Sequence, residues 1–316
     1  MSDDDYLYDG SGAPDPDVAR AERLLRPLGR RDDAPVAAPR PSRGRLYAFA
    51  ALVAAAAAVF VFVATRPDAA PVERRSYVVA SDPVLRVSGG DGPLAVDQWI
   101  ETTEAGRELL VGDLGRVVLG AASRVQVRRV SVDTTRLYLA RGSLEAHVSA
   151  NARPRFFQVD TDAARCVDLG CSYTLDVDGA GDATVRVVTG QVAFEDGRRE
   201  VFVPAGAVCA AKKGRGPGTP RFEDARREVA EAFDAYDAAA TAPLERRRDA
   251  ARAALESVRG GRDTLPAWHL LEDADAQIVD AAQARLEVVA GKCDAAVGAS
   301  PDAARRAWRE RLACDW

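Results

Sequence analysis

The chain has 316 residues, of which 47% are hydrophobic and 29% charged, and its formal net charge is -5 at pH 7. That length accommodates about two domains with real cores. The negative balance argues against non-specific nucleic-acid binding by the whole chain, so no direct nucleic-acid partner is expected.

In chain order, residues 1–19 carry Asp3, Asp4, Asp5, Asp9, Asp15 and Asp17 and no base. A helix signal then begins. Asp15 suits an N-cap, Pro16 the first helical position, and Asp17 complements the helix dipole. Ala21, Leu24, Leu25 and Leu28 follow at i, i+3, i+4 and i+7 and make one apolar face, the candidate partner-binding surface of this segment. Pro27 stops or kinks it. From Arg30 to Gly44, Pro and Arg dominate and predict a flexible lead.

Leu46 to Ala64 reads LYAFAALVAAAAAVFVFVA, without charge or proline. As a helix it would be about 28 Å long, matching a bilayer's hydrocarbon core. A buried Ala-rich helix and a cleaved leader are the alternatives. The first would show a polar face, and the second a shorter charged region than the 45 residues preceding this stretch. Arg30, Arg31, Arg40, Arg43 and Arg45 precede it, and fewer net positive charges follow. The positive-inside rule therefore predicts a cytoplasmic N-terminus, a single pass through the membrane, and the remaining domains outside.

Residues 66–76 read as a linker. From Tyr77 to about Lys213, apolar residues alternate with polar ones: Val125 and Val127, Leu137 and Leu139, Tyr173, Leu175 and Val177, Val185 and Val187, Val201 and Val203. Period two with β-branched residues predicts short strands separated by Gly- and Asp-rich turns, in an all-β solenoid, sandwich or barrel. Residues 214–221 contain GRGPGTP and read as a breaker-rich linker. Over 222–316 the period becomes helical. Phe222, Ala225, Val229, Ala232, Phe233 and Tyr236 form one stripe. Ile278, Ala282, Leu286 and Val289 form another, closed by Gly291. Ser300 caps a helix beginning at Pro301 and carrying Ala304, Trp308 and Leu312. The expected fold class is thus a multi-domain membrane protein with a tail (1–45), a transmembrane helix (46–65), a linker (66–76), an all-β domain (77–213), a second linker (214–221) and an all-α domain (222–316).

The β segment also carries a resemblance. The runs Leu137–Leu144, Pro154–Thr161, Val167–Leu175, Val185–Val192 and Val203–Gly206 resemble, in order and spacing, the FecR-like domain of bacterial transmembrane regulators. Each run alone is a generic strand and turn, and the ordered set is what is specific. The resemblance implies a signalling regulator of the bacterial inner (cytoplasmic) membrane that senses a periplasmic protein or ligand and controls an ECF-type sigma factor, in anti-sigma fashion, through its cytoplasmic tail. The sequence departs from the family's pattern in two places. The tail is shorter than the usual anti-sigma region, and Cys171 stands where the Leu-Gly-Thr strand has its threonine. A membrane-tethered scaffold or interaction module is the alternative.

No residue set calls for catalysis, a cofactor or a metal. His147 reads as a surface or satisfied histidine and His269 as a packing residue. The tail has neither Cys nor His, which excludes a zinc-binding anti-sigma module. Asp176, Asp178 and Asp182 have acidic spacing, but Val185 and Val187 occupy the stretch where a Ca²⁺ loop needs its last carboxylate, so a hairpin turn is expected. Gly214 to Gly218 lacks the Gly-Lys-Ser/Thr ending of a phosphate loop. Five cysteines in an oxidising compartment predict pairing: Cys171 with Cys209, closing a loop of about 39 residues, or Cys166 with Cys171. Cys293 with Cys314 would require the loop before the last helix to run back alongside it.

Overall fold

The computed structural model describes residues 84–90, 92–294 and 300–316. The period-two segments form β1 (Leu85–Val87), β2 (Trp99–Glu101), β3 (Arg107–Val111), β4 (Gly115–Leu119), β5 (Arg124–Val130) and β6 (Thr135–Val148). They continue as β7 (Phe157–Asp160), β8 (Arg165–Asp168), β9 (Ser172–Val177), β10 (Ala183–Thr189), β11 (Gln191–Glu195), β12 (Glu200–Pro204) and β13 (Ala207–Lys212). Two short strands follow, β14 (Gly216–Pro217) and β15 (Arg221–Phe222), so the stretch expected as a linker is in part strand paired to β13.

The strands make two layers that share β6. One layer runs β1-β3-β4-β6-β9-β10-β13; the other runs β2-β5-β6-β7-β8-β11-β12. Every pairing is antiparallel except β6 with β7. The N-terminal half of β6 pairs with β5 and β7, and its C-terminal half pairs with β4 and β9. The change of layer falls at Gly142, whose φ is +93°. A Cβ there would lie 2.3 Å from Ser123 Oγ and 2.5 Å from Ser123 Cα, so only glycine lets the strand bend this close to its neighbour.

Alternation decides which face is inside. In β9, Tyr173, Leu175 and Val177 are buried while Ser172, Thr174 and Asp176 are half-buried. The inward residues of both layers, among them Leu109, Val117, Leu139, Leu144, Phe157, Phe194 and Val203, form one continuous core. The three strands before Arg124 that contribute Leu85, Leu109, Val111, Val117 and Leu119 to this core are too short or too uniformly apolar to show a clean period in sequence.

The C-terminal helices are α1 (Arg227–Ala238), α2 (Leu244–Ser257), α3 (Thr264–His269), α4 (Ala276–Ala290) and α5 (Pro301–Leu312). The Ile278, Ala282 and Leu286 stripe is buried, and α4 ends at Gly291 with φ +78°. Ser300 caps α5 by accepting from the backbone N–H of Ala303, with Pro301 in the first turn and Trp308 and Leu312 buried. Phe222 departs from expectation. It belongs to β15 and packs in the β core, and the first helix starts five residues later. Val229, Phe233, Leu255, Trp268, Leu286 and Trp308 form a second core. The two cores are bridged by Leu265 of α3, which lies in the β core, and by Trp316, which packs against both.

The expected fold class therefore needs correction. What the structure shows is a mostly β body with a nearly closed sheet and a C-terminal helical part, within one compact unit. A single transmembrane helix is not part of it, since no helix among the described residues is long and apolar enough to cross a membrane. The segment Leu46–Ala64 and the tail residues Ala21, Leu24, Leu25 and Leu28 lie outside the described residues.

Candidate functional site

The outer face of the β2-to-β12 layer divides in two. Its β12 end is covered by the helices, and its middle is an open groove of about 860 Å³ running across β5, β6, β7, β8 and the end of β11. The groove follows from strand alternation. On β6, Leu137 and Leu139 point into the core, so Arg136 and Tyr138 point out. On β7 and β8 the same pattern turns Asp160 and Arg165 outward.

Strand β5 adds a bulge. Val127 lies opposite Leu137 and Arg129 opposite Arg136, so two residues of β5 face one step of β6. The extra residue is Arg128, and it leaves two consecutive arginines, Arg128 and Arg129, exposed at the groove wall where strict alternation would have exposed one.

The groove's carboxylates are all engaged by cations of the chain. Asp160 pairs with Arg136 and accepts from Arg165 Nε at 2.7 Å. Asp162 accepts from Tyr138 Oη at 2.6 Å and from Lys213 Nζ at 2.5 Å. These bonds, the lysine's first, hold the Asp162 carboxyl below the usual carboxylate range, and the same contact raises the Tyr138 phenol. Glu195 accepts from Arg155 at 2.7 Å and lies 3.6 Å from Arg165; Asp196 lies 3.2 Å from Arg198. Arg128 and Arg129, by contrast, have no carboxylate partner among the described residues. Arg128 sits over the Tyr138 ring at 5.0 Å, next to Trp99, which meets Tyr138 edge-on at 6.2 Å and carries Arg124 over its own ring at 4.1 Å. The free charge of the groove is therefore positive, and the Arg128 part of it is held on a small aromatic shelf.

The buried titratable groups face elsewhere. Asp168 is fully buried and accepts from the N–H of Gly170 and of Cys171, each at 3.0 Å, and from Cys171 Sγ at 2.6 Å. Burial raises its pKa, and burial together with Asp168 raises the Cys171 thiol. Burial likewise raises Cys166, and with nearby Asp237 pushes Cys209 up to about 12. Such thiols are poor nucleophiles.

All five cysteines are free, with Cys166, Cys171, Cys209 and Cys293 buried and Cys314 exposed. The expected Cys171–Cys209 bridge is not formed. Cys171 leads into β9 and Cys209 lies in β13, with β10 between them, which separates them by about 9–10 Å across the sheet. That exceeds the reach of a disulfide. Cys293 packs into the helical core while Cys314 faces solvent, so that pair is not formed either.

His147 is satisfied by Glu145 at 2.9 Å and Ser172 at 3.2 Å. Asp178 accepts from the N–H of Ala180 at 2.8 Å and of Asp182 at 3.0 Å, while Asp182 pairs with Lys212 at 2.7 Å, so the acidic run is a hairpin turn. The groove residues were not singled out in the sequence. The one signal for them was the doubled Arg128-Arg129 interrupting a period-two strand.

The helices cover the β12 end. His269 contacts the Phe202 carbonyl, Arg309 lies 4.0 Å over the Phe202 ring, and Arg305 lies 4.1 Å over Trp268 while pairing with Glu272. A smaller recess of about 310 Å³ remains between them.

Residues 98–193 match the family model described as "FecR protein". They span β2 to the middle of β11 and include the groove strands β5 to β8, while Glu195 and the turn after it lie just beyond them. No curated protein matches the chain. Two crystal structures of a candidate anti-sigma factor from Parabacteroides distasonis ATCC 8503, at 1.65 and 2.50 Å, are similar at 18% identity and a TM-score of 0.35. The similarity covers 43% of this chain and 64% and 63% of theirs, so this chain spans less than two thirds of their length.

Proposed function

We propose that this chain, which carries a FecR domain at residues 98–193, is a regulatory protein that acts by binding, with the FecR domain as its receiving module and a sigma factor as its output. The observation that carries the reading is the family match, which takes in the β5-to-β8 part of the open groove and stops just short of Glu195 at its β11 end. The groove's chemistry supports recognition over catalysis. Its carboxylates are bound by arginine, lysine and tyrosine, and the buried thiols and Asp168 are turned into the core.

On this reading the apolar residues Ala21, Leu24, Leu25 and Leu28 meet the sigma factor, and the folded region works outside the cytoplasm. The full-length chain, purified from its own cells, should carry a sigma factor identifiable by mass spectrometry. Leu24→Asp together with Leu25→Asp should release it. If no sigma factor accompanies the wild-type chain, and the transcription of no sigma regulon changes on its removal, the sigma part of the proposal fails. A reporter enzyme fused after Trp316 that works only in the cytoplasm would overturn the placement. A scaffold reading makes the opposite demand, that removing residues 1–40 leaves function intact.

A further inference from the structure

The groove's chemistry also bears on what the FecR domain receives. The two cations at its β5 wall are unpaired by any carboxylate among the described residues, whereas each carboxylate along its floor is already bound. A guanidinium stacked on an aromatic ring, as Arg128 is on Tyr138, keeps its N–H donors free around its edge, in the planar fork that fits a carboxylate. Arg124 and Arg128 each lie over a ring of the Trp99–Tyr138 pair, so the shelf presents cations along with its aromatic surface. The groove spans five strands and about 860 Å³, far more than one inorganic anion fills.

We infer that this groove binds an extended protein segment with acidic residues at one end, which meet Arg128 and Arg129, and neutral polar residues along the remainder. The neutral part follows from the floor. Asp160, Asp162 and Glu195 already occupy Arg136, Arg165, Arg155 and Lys213, so the floor has no free cation to meet further carboxylates. The bulge in β5 makes the site, because it turns two adjacent guanidinium groups to the same opening.

The inference rests on the regulator reading but is tested separately from it. The full-length protein is titrated against a fluorescent eight-residue peptide that begins with two glutamates and continues with serine and threonine. Its two-glutamine counterpart and inorganic phosphate are run beside it. The glutamate peptide should bind at least tenfold more tightly than the glutamine peptide, and more weakly as salt rises. Arg128→Ala with Arg129→Ala should lose at least tenfold. Arg227→Ala, on an exposed helix position paired with Glu231, should change nothing. Both arginines are exposed, so the double variant should fold, and an unchanged melting temperature checks this. Equal binding of the two peptides overturns the inference. So does unchanged binding by the double variant, displacement by phosphate at the same concentration as the peptide, or no binding at millimolar peptide. None of those results touches the sigma-factor co-purification, which decides the regulator reading.

Discussion

His269 Nε2 lies 2.9 Å from the main-chain oxygen of Phe202, joining helix α3 to strand β12 on the covered side of the sheet. The carbonyl can only accept, so Nε2 carries the proton and donates, and the ring is the neutral Nε2–H tautomer with Nδ1 unpartnered in the interior. Burial first, then the positive charges of Arg199 and Arg305, hold the His269 pKa well below its ordinary 6.5.

A pH dependence follows. With the folded pKa depressed, the unfolded chain binds a proton below pH 6.5 that the folded chain does not. The contribution of His269 to stability is present above pH 6.5 and is lost as pH falls, by about tenfold in the folding equilibrium per pH unit. Glu272, raised by burial, acts with the opposite sign, so the comparison is with a variant. His269→Gln keeps a donor for Phe202 but cannot be protonated. Urea unfolding at pH 7, 6 and 5 should show the wild type weakening relative to His269→Gln; parallel curves would contradict the assignment.

Gly142 tests the layer change in β6. A side chain there meets Ser123 backbone at 2.5 Å in a left-handed conformation. Gly142→Ala should cost about 2 kcal/mol or more, well above an ordinary glycine-to-alanine change. Chemical denaturation measures it directly.

Trp316 tests the coupling of the two cores. Its Nε1 donates to Thr264 Oγ1 at 3.1 Å, and its ring meets Trp268 edge-on at 5.3 Å. Trp316→Ala should lower stability by about 1–3 kcal/mol. Because the ring packs on both cores, the β circular dichroism and the tryptophan fluorescence should shift together. A loss confined to the helical signal would show that the helices unfold by themselves.

Thiol accessibility checks the cysteine environments. In the native protein one thiol, that of exposed Cys314, should react rapidly with a disulfide reagent, and Cys314→Ser should abolish the fast phase. Denaturation without reductant should release all five. Two fewer thiols in the denatured chain would mean a bridge exists.

Much of this protein was legible locally. Strand alternation from Val125 onward, the helical stripe of Ile278, Ala282 and Leu286, the Ser300 cap and the Gly291 stop are all effects of neighbours within one turn or one strand, so sequence order carries them. The order of the FecR-like runs was legible for the same reason, and the family match falls on that region. What the sequence could not carry were relationships set by which strand lies beside which. Placing β10 between β9 and β13 separated Cys171 from Cys209. Pairing β15 with β13 drew Phe222 out of the helical stripe into the β core. A slip of one residue between β5 and β6 turned Arg128 and Arg129 to the same side. Local chemistry decides what each segment is. Long-range pairing decides what it faces, and the candidate site is made of what the strands face.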